Sequence, residues 1–297
     1  MIRVAARPAA TALSAHAECH TAHIETPEER TRRIWRSADA VAFDVDSTVC
    51  QDEAIDELAN YLGVGEAVAN VTRQAMNGNA RFRHALQARL EVMRPTYDQL
   101  EAYANETKPK KKVLFSSLYD FTSAVKHLVN RLYSKTTCAA LSIPNRFYYP
   151  QVISLQLTPG IRQLIIALHK RGTDVYLVSG GFRRLIYPVA DILGIDRKRI
   201  YANEILFDKN KNYAGFDENE PTSDSGSKDV GKPAVMGLLK KQGYKHVVMV
   251  GDGATDLEAS PPADAFIGFG GNQIREAVRA RADWYVTDFD VLRKALE

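Results

Sequence analysis

Val41-Ala42-Phe43-Asp44-Val45-Asp46-Ser47-Thr48 carries an apolar run straight into a pair of carboxylates, Asp44 and Asp46. A short apolar run of this kind reads as a strand buried on both faces, as in a parallel sheet, and a polar tip on such a strand contributes little to packing. Open α/β sheets place their ligands outside the carboxyl ends of the strands, which is where Asp44 is expected. One carboxylate there can act as a nucleophile while its neighbour, further into the turn, handles a proton. The same residues also fit a plainer role, because Asp, Ser and Thr are favoured helix N-caps. Taken alone, the stretch leaves both readings open.

The chain around it has 297 residues, 45% apolar and 25% charged, a globular composition with room for one large or two modest domains. No apolar run reaches the ~18 residues that a membrane-spanning helix needs. Cys19, Cys50 and Cys138 are too few and too scattered for a disulfide framework or a zinc site, which suits a reducing compartment and makes the cytoplasm the expected location. The formal net charge of +3 is local in origin. Residues 109–156 hold Lys110, Lys111, Lys112, Lys126, Arg131, Lys135 and Arg146 against Asp120 alone, so the rest of the chain is mildly acidic. That distribution argues against a nucleic-acid partner. Residues 1–27 read as a flexible tail; Arg3, Arg7 and the lack of an acid before Glu18 make a mitochondrial presequence the alternative, although Pro8 fits one poorly. A short helix over 28–35 is expected to follow.

Behind the first strand, helical periodicity runs over 53–62, 67–76, 82–93 and 97–105, interrupted at Gly63, Gly65, Asn77-Gly78 and Pro95. This predicts a helical cap, residues 53–108, inserted into a core made of 28–52 and 157–297. From Leu157 onward helices alternate with strands at 174–178, 200–203, 246–250, 265–269 and 284–287, with a hairpin between 205 and 216. Such alternation predicts an α/β, Rossmann-like core with a parallel sheet. Residues 109–156 break the order as an atypical insertion, read either as an accessory helix or as a non-native insertion.

Two more strand ends carry polar residues. Val175-Tyr176-Leu177-Val178 runs into Ser179-Gly180-Gly181, where glycines let backbone N–H groups approach an anion and Ser179 adds a donor. Val247-Val248-Met249-Val250 runs into Gly251-Asp252-Gly253-Ala254-Thr255-Asp256. If the strands are neighbours, Asp252 approaches Asp44, and paired carboxylates without His or Cys suit Mg²⁺, a hard cation. Lys232, at a predicted helix start, supplies the positive charge that would neutralise an anion and keep Asp44 ionised. Lys228 is the alternative, since Ser227 to Val230 lengthen the approach to Lys232.

These motifs, in this order, resemble the haloacid dehalogenase (HAD) superfamily. With Asp52-Glu53-Ala54-Ile55-Asp56-Glu57-Leu58, Ala75-Met76 and Ala214-Gly215-Phe216-Asp217 they resemble its phosphoserine phosphatase family over about 35–108 and 157–297. The resemblance implies Asp44 as a nucleophile forming an aspartyl-phosphate and Asp46 as the acid and then base. It implies Mg²⁺ held by Asp44, the Asp46 backbone carbonyl and Asp252, with Asp256 behind them. Ser179, Gly180, Gly181 and Lys232 would hold phosphate, with Thr255 and Arg275 on the same side. Glu53 would face the ammonium and Arg89 the carboxylate of O-phospho-L-serine, while Met76 and Phe82 wall the pocket. A zwitterion requires one anion and one cation, and Arg grips a carboxylate with two hydrogen bonds. The implied reaction is the last step of L-serine biosynthesis, with a small-molecule substrate, no membrane partner and a homodimer as the candidate assembly. The alternatives are a phosphatase for another small metabolite and an inactive form whose 109–156 insertion displaces the cap. Asn77 departs from the family, which commonly has glycine beside the cap methionine.

Overall fold

The computed structural model describes residues 24–77, 81–106, 156–227 and 229–297. The readings made of residues 1–23 and of the insertion up to residue 155 lie outside the described residues.

Helix α1, Pro27–Arg36, opens on a capping box in which Thr26 and Glu29 satisfy each other's backbone N–H, with Pro27 at the first helical position. The helix therefore starts within the stretch expected to be tail. Strand β1, Ala40–Phe43, follows, and all four of its residues are buried. The cap helices are α2 Ala54–Tyr61, α3 Gly65–Asn77, α4 Phe82–Met93 and α5 Tyr97–Glu106. The core resumes with α6 Ile161–Lys170, β2 Asp174–Phe182, α7 Arg183–Leu193 and β3 Ile200–Asn203. A hairpin of β4 Ile205–Phe207 and β5 Tyr213–Phe216 precedes α8 Gly231–Lys241 and β6 Val247–Gly251. The end is α9 Ala254–Leu257, β7 Ala265–Phe269, α10 Glu276–Arg279, β8 Trp284–Val286 and α11 Phe289–Lys294.

Six strands pair in the order β3-β2-β1-β6-β7-β8, all parallel. Strand pleating sends alternate side chains to opposite faces, and each face has its own helical cover. Val41, Phe43, Leu177 and Val250 pack with Trp35, Leu164, Leu168 and Phe289. Ala42, Tyr176, Val178 and Met249 pack with Val235, Met236 and Leu239 of α8. This is a Rossmann-like α/β sheet covered on both sides.

The chain leaves and re-enters the core side by side. Cys50 bridges Leu157, the Gln51 N–H donates to the Gln156 carbonyl at 2.8 Å, and the Thr158 N–H donates to the Val49 carbonyl at 2.9 Å. Between these crossings the cap helices build a core of Leu58, Leu86, Leu90 and Tyr103 that also takes in Phe182 and Leu185 of the main domain and Ile205, Tyr213 and Phe216 of the hairpin. The cap is thereby seated on the sheet domain. Strand β2 extends further than periodicity predicts, through Ser179-Gly180-Gly181 to Phe182, with a register shift against β3 across that stretch. The glycines form the strand's irregular end and not a separate turn after it.

Candidate active site

Register assembles the site. Phe43 is paired with Leu177 on one side and Val250 on the other, so Asp44, Ser179 and Asp252 all emerge at the carboxyl edge of three adjacent strands. The Asp44 N–H continues the ladder by donating to the Val250 carbonyl at 2.9 Å. Beyond Asp44 the chain turns sharply over Val45–Val49, with Ser47 in the left-handed region at φ 55°. Asn272 supports this turn from the loop after β7, its side-chain amide donating to the Ser47 carbonyl at 3.0 Å and to Thr158 Oγ1 at 2.6 Å.

Carboxylate oxygens of Asp44, Asp252 and Asp256 lie within 4.8 Å of one another, and all three residues are buried. Gly251 makes this possible, because a Cβ there would overlap the Asp256 carboxyl group. Lys232 reaches into the group, its Nζ 2.7 Å from Asp44 Oδ1 and paired also with Asp256. Thr48 Oγ1 donates to Asp252 Oδ1 at 3.1 Å, and Arg275 Nε to Asp252 Oδ2 at 2.8 Å. Burial, and next the charge of Asp256, raises the Asp44 carboxyl well above the usual carboxylate range. Burial likewise raises Asp256 against the pull of Lys232. Lys232 is itself pulled down by burial, yet Asp256 and Asp44 outweigh that and hold it firmly charged. Three buried acids with one buried lysine leave excess negative charge, and a set of oxygen donors without His or Cys suits a hard divalent cation such as Mg²⁺.

Asp46 faces the other way. Its Oδ1 accepts from the Ala54 N–H at 2.8 Å and its Oδ2 from Ser179 Oγ at 3.2 Å, while Ser179 Oγ accepts from the Gly181 N–H at 2.8 Å. Burial raises the Asp46 pKa, so this group is suited to carrying a proton. Glu53, at the start of α2, accepts from Ser47 Oγ at 2.8 Å and lies 3.6 Å from Arg275, with burial the main cause of its raised pKa.

The cap closes over these groups. Phe82 packs so closely on Gly180 that a Cβ there would lie 2.7 Å from the ring. Arg89, on the same helix as Phe82, donates from Nε to its own helix at the Ala85 carbonyl, 3.3 Å away, and no carboxylate pairs with it among the described residues. Burial lowers its pKa, against the pull of Asp56 and Glu53. A cavity of about 330 Å³ is lined by Asp44, Asp46, Glu53, Phe82, Arg89, Gly180, Gly181, Lys232, Asp252, Thr255 and Arg275. Ser179 and Asp256 are tied to this lining, Ser179 by its bond to Asp46 and Asp256 by its pairing with Lys232. The side chain of Met76 and all of Lys228 lie outside the described residues, and Lys232 meets Asp44.

With this geometry in view, residues 38–264 match the haloacid dehalogenase-like hydrolase family. The chain belongs to that family. Among curated haloacid dehalogenase-like relatives, the phosphoserine phosphatase of Bos taurus is 43% identical over 267 residues, 90% of this chain and 96% of that protein. The chloroplastic phosphoserine phosphatase of Arabidopsis thaliana is 42% identical over 91% of this chain and 76% of its own length. A phosphoserine phosphohydrolase-like protein from Francisella tularensis has the same fold, with a TM-score of 0.62 at 22% identity over 87% of this chain and 100% of that one.

This haloacid dehalogenase-like site also contains residues that sequence reasoning missed. Thr48 belongs to the Val45–Val49 turn and bonds Asp252, Asn272 bonds the same turn, and Thr222, Asp224 and Ser225 line the cavity. Thr48 stood inside the opening motif and was legible there as a polar neighbour. Thr222 sits on a single 3₁₀ turn, Pro221–Ser223, and the others on loops after β5 and β7, where no periodicity or spacing singles out a side chain.

Proposed function

We propose that this chain hydrolyses O-phospho-L-serine to L-serine and phosphate, using Mg²⁺, as the closing step of serine formation from a phosphorylated precursor. The observation that carries this reading is a single cavity lined both by Asp44 with Lys232 and by Glu53 with Arg89, which has no carboxylate partner among the described residues. The first pair suits attack on phosphorus, and the second suits a zwitterion. The names of the curated relatives support the same substrate.

In this mechanism an Asp44 oxygen attacks phosphorus and the P–O bond to serine breaks. The departing serine oxygen takes the proton that Asp46 holds, leaving phosphate covalently on Asp44 and Asp46 as a carboxylate. Asp46 then removes a proton from water, whose oxygen attacks phosphorus and frees Asp44 together with inorganic phosphate. Lys232 and Ser179, whose Oγ is held by the Gly181 N–H, neutralise and orient the phosphoryl oxygens, the kind of contribution that dominates phosphoryl transfer. Asp44, Asp252, Asp256 and the Asp46 carbonyl are the candidate holders of Mg²⁺, which when bound would offset charge on the transferring group. Phe82 and the cap exclude bulk water.

We place the reaction in the cytoplasm. The buried free Cys50 suits a reducing compartment, and among the described residues no helix is long and apolar enough to cross a membrane. The test is phosphate release from O-phospho-L-serine with and without Mg²⁺, beside O-phosphoethanolamine, which lacks the carboxylate. Mg²⁺-dependent release with a strong preference for phosphoserine is expected. Absence of release, or equal use of both esters, overturns the reading.

A further inference from the structure

Hydrogen bonds that are buried at the sheet and exposed at the cap connect the end of β2 to the cap through residues 218–223. Asn203, fully buried at the end of β3, donates from Nδ2 to the Gly180 carbonyl at 2.8 Å. Its Oδ1 accepts from Thr222 Oγ1 at 3.0 Å, and Thr222 is itself only 3% exposed. The Gly180 carbonyl and the Gly181 N–H belong to one planar peptide, and that N–H donates to Ser179 Oγ at 2.8 Å, so a bond that holds the carbonyl also sets the Ser179 hydroxyl. Next to Thr222, Ser223 Oγ accepts from Arg83 Nη2 at 2.9 Å, and Arg83 reaches the Glu218 carboxylate at 3.1 Å and the Glu218 carbonyl at 3.2 Å. Arg83 directly follows Phe82, whose ring lies on Gly180. From the core side Arg183 pairs with Glu220 at 2.5 Å and donates to the Ala202 carbonyl at 3.0 Å. Residues 218–223 thus form a bracket held at once by the cap and by the sheet.

We propose that Asn203 is a positioning residue for the phosphate group: it sets the Gly180–Gly181 peptide, and Arg83, acting through Ser223 and Thr222, couples that setting to the closed cap. An asparagine amide is both donor and acceptor, and both functions are used here in a buried place where an unmade bond is costly. An aspartate of the same shape would present a second acceptor to the Gly180 carbonyl. Cap closure and the grip on phosphate then become one event. This inference rests on the phosphatase reading given above.

The test compares inhibition by two probes, inorganic phosphate for one end of the cavity and L-serine for the other. Asn203→Asp is expected to raise the inhibition constant of phosphate about tenfold, the effect of ~1.4 kcal/mol, with L-serine inhibition changed less than twofold. Thr222→Val is expected to move phosphate in the same direction, and Thr222→Ser, which keeps the hydroxyl, to restore it. Arg83→Ala should weaken both probes by freeing the cap. An unchanged phosphate constant in Asn203→Asp, or equal weakening of both probes, overturns the proposal. If Asn203→Asp does not fold, the Thr222→Val and Thr222→Ser pair decides in the same terms, and identical phosphate constants for the two overturn it. A wild-type protein that neither releases nor is inhibited by phosphate would overturn the phosphatase reading itself, a failure visible before any variant is made.

Discussion

Lys232 Nζ lies 2.7 Å from Asp44 Oδ1 although the two residues are 188 positions apart, and only 7% of Lys232 and 8% of Asp44 is exposed to solvent. A buried ammonium at this distance opposes the rise that burial and Asp256 impose on the Asp44 carboxyl, and offsets charge on a bound phosphoryl group. Lys232→Met is therefore expected to lower kcat by about 10²–10³ with a smaller change in KM. Steady-state kinetics check it, and a kcat within threefold of the wild type would remove Lys232 from the mechanism.

Buried acids crowded for function oppose folding. Burial first, and then Asp256, raises the Asp44 pKa. A carboxyl whose folded-state pKa exceeds its unfolded value favours folding when protonated and loses that contribution as pH rises from the unfolded value, ~4, through the folded one. Asp44→Asn is thus expected to abolish turnover and yet raise the Tm of the metal-free protein. The gain over wild type should widen as pH increases toward neutrality. Thermal melts in EDTA from acid to neutral pH measure it; a gap that narrows with rising pH would contradict the assignment.

Gly180 is set by contact. A methyl group there would lie 2.7 Å from the Phe82 ring, so Gly180→Ala must displace that ring from the cavity wall. The expected result is a KM for phosphoserine raised about tenfold, the order of a ~1–3 kcal/mol overpacking cost, with the fold retained by circular dichroism. Phe82→Leu in the same chain should recover part of it.

Arg89 is half-buried, faces the cavity and has no carboxylate partner among the described residues. Arg89→Ala should raise KM for phosphoserine 10- to 100-fold, consistent with ~1.5–3 kcal/mol for a charged hydrogen bond, while slow hydrolysis of an ester without a carboxylate stays within twofold. Equal losses on both substrates would assign Arg89 to the fold and not to recognition.

Much of this protein was legible in its linear order. Apolar runs such as Val247 to Val250 mark buried strands because a sheet covered on both faces leaves no polar side, and the acids that end those runs must lie along the sheet edge. Asp44, Asp252, Ser179 and Lys232 could be named from that reasoning together with the family likeness. What the chain could not declare in one dimension is which strands adjoin and which loops touch. The pairing of β1 between β2 and β6 brings Asp44, Ser179 and Asp252 to one edge. Packing of the cap lays Phe82 on Gly180, and the loop after β5 carries Thr222 to Asn203. Those contacts join residues far apart in the chain, from the first turn of α4, the ends of β2 and β3 and the short turn Pro221–Ser223. Local propensity is silent about such contacts, and burial and hydrogen-bond satisfaction in three dimensions decide them.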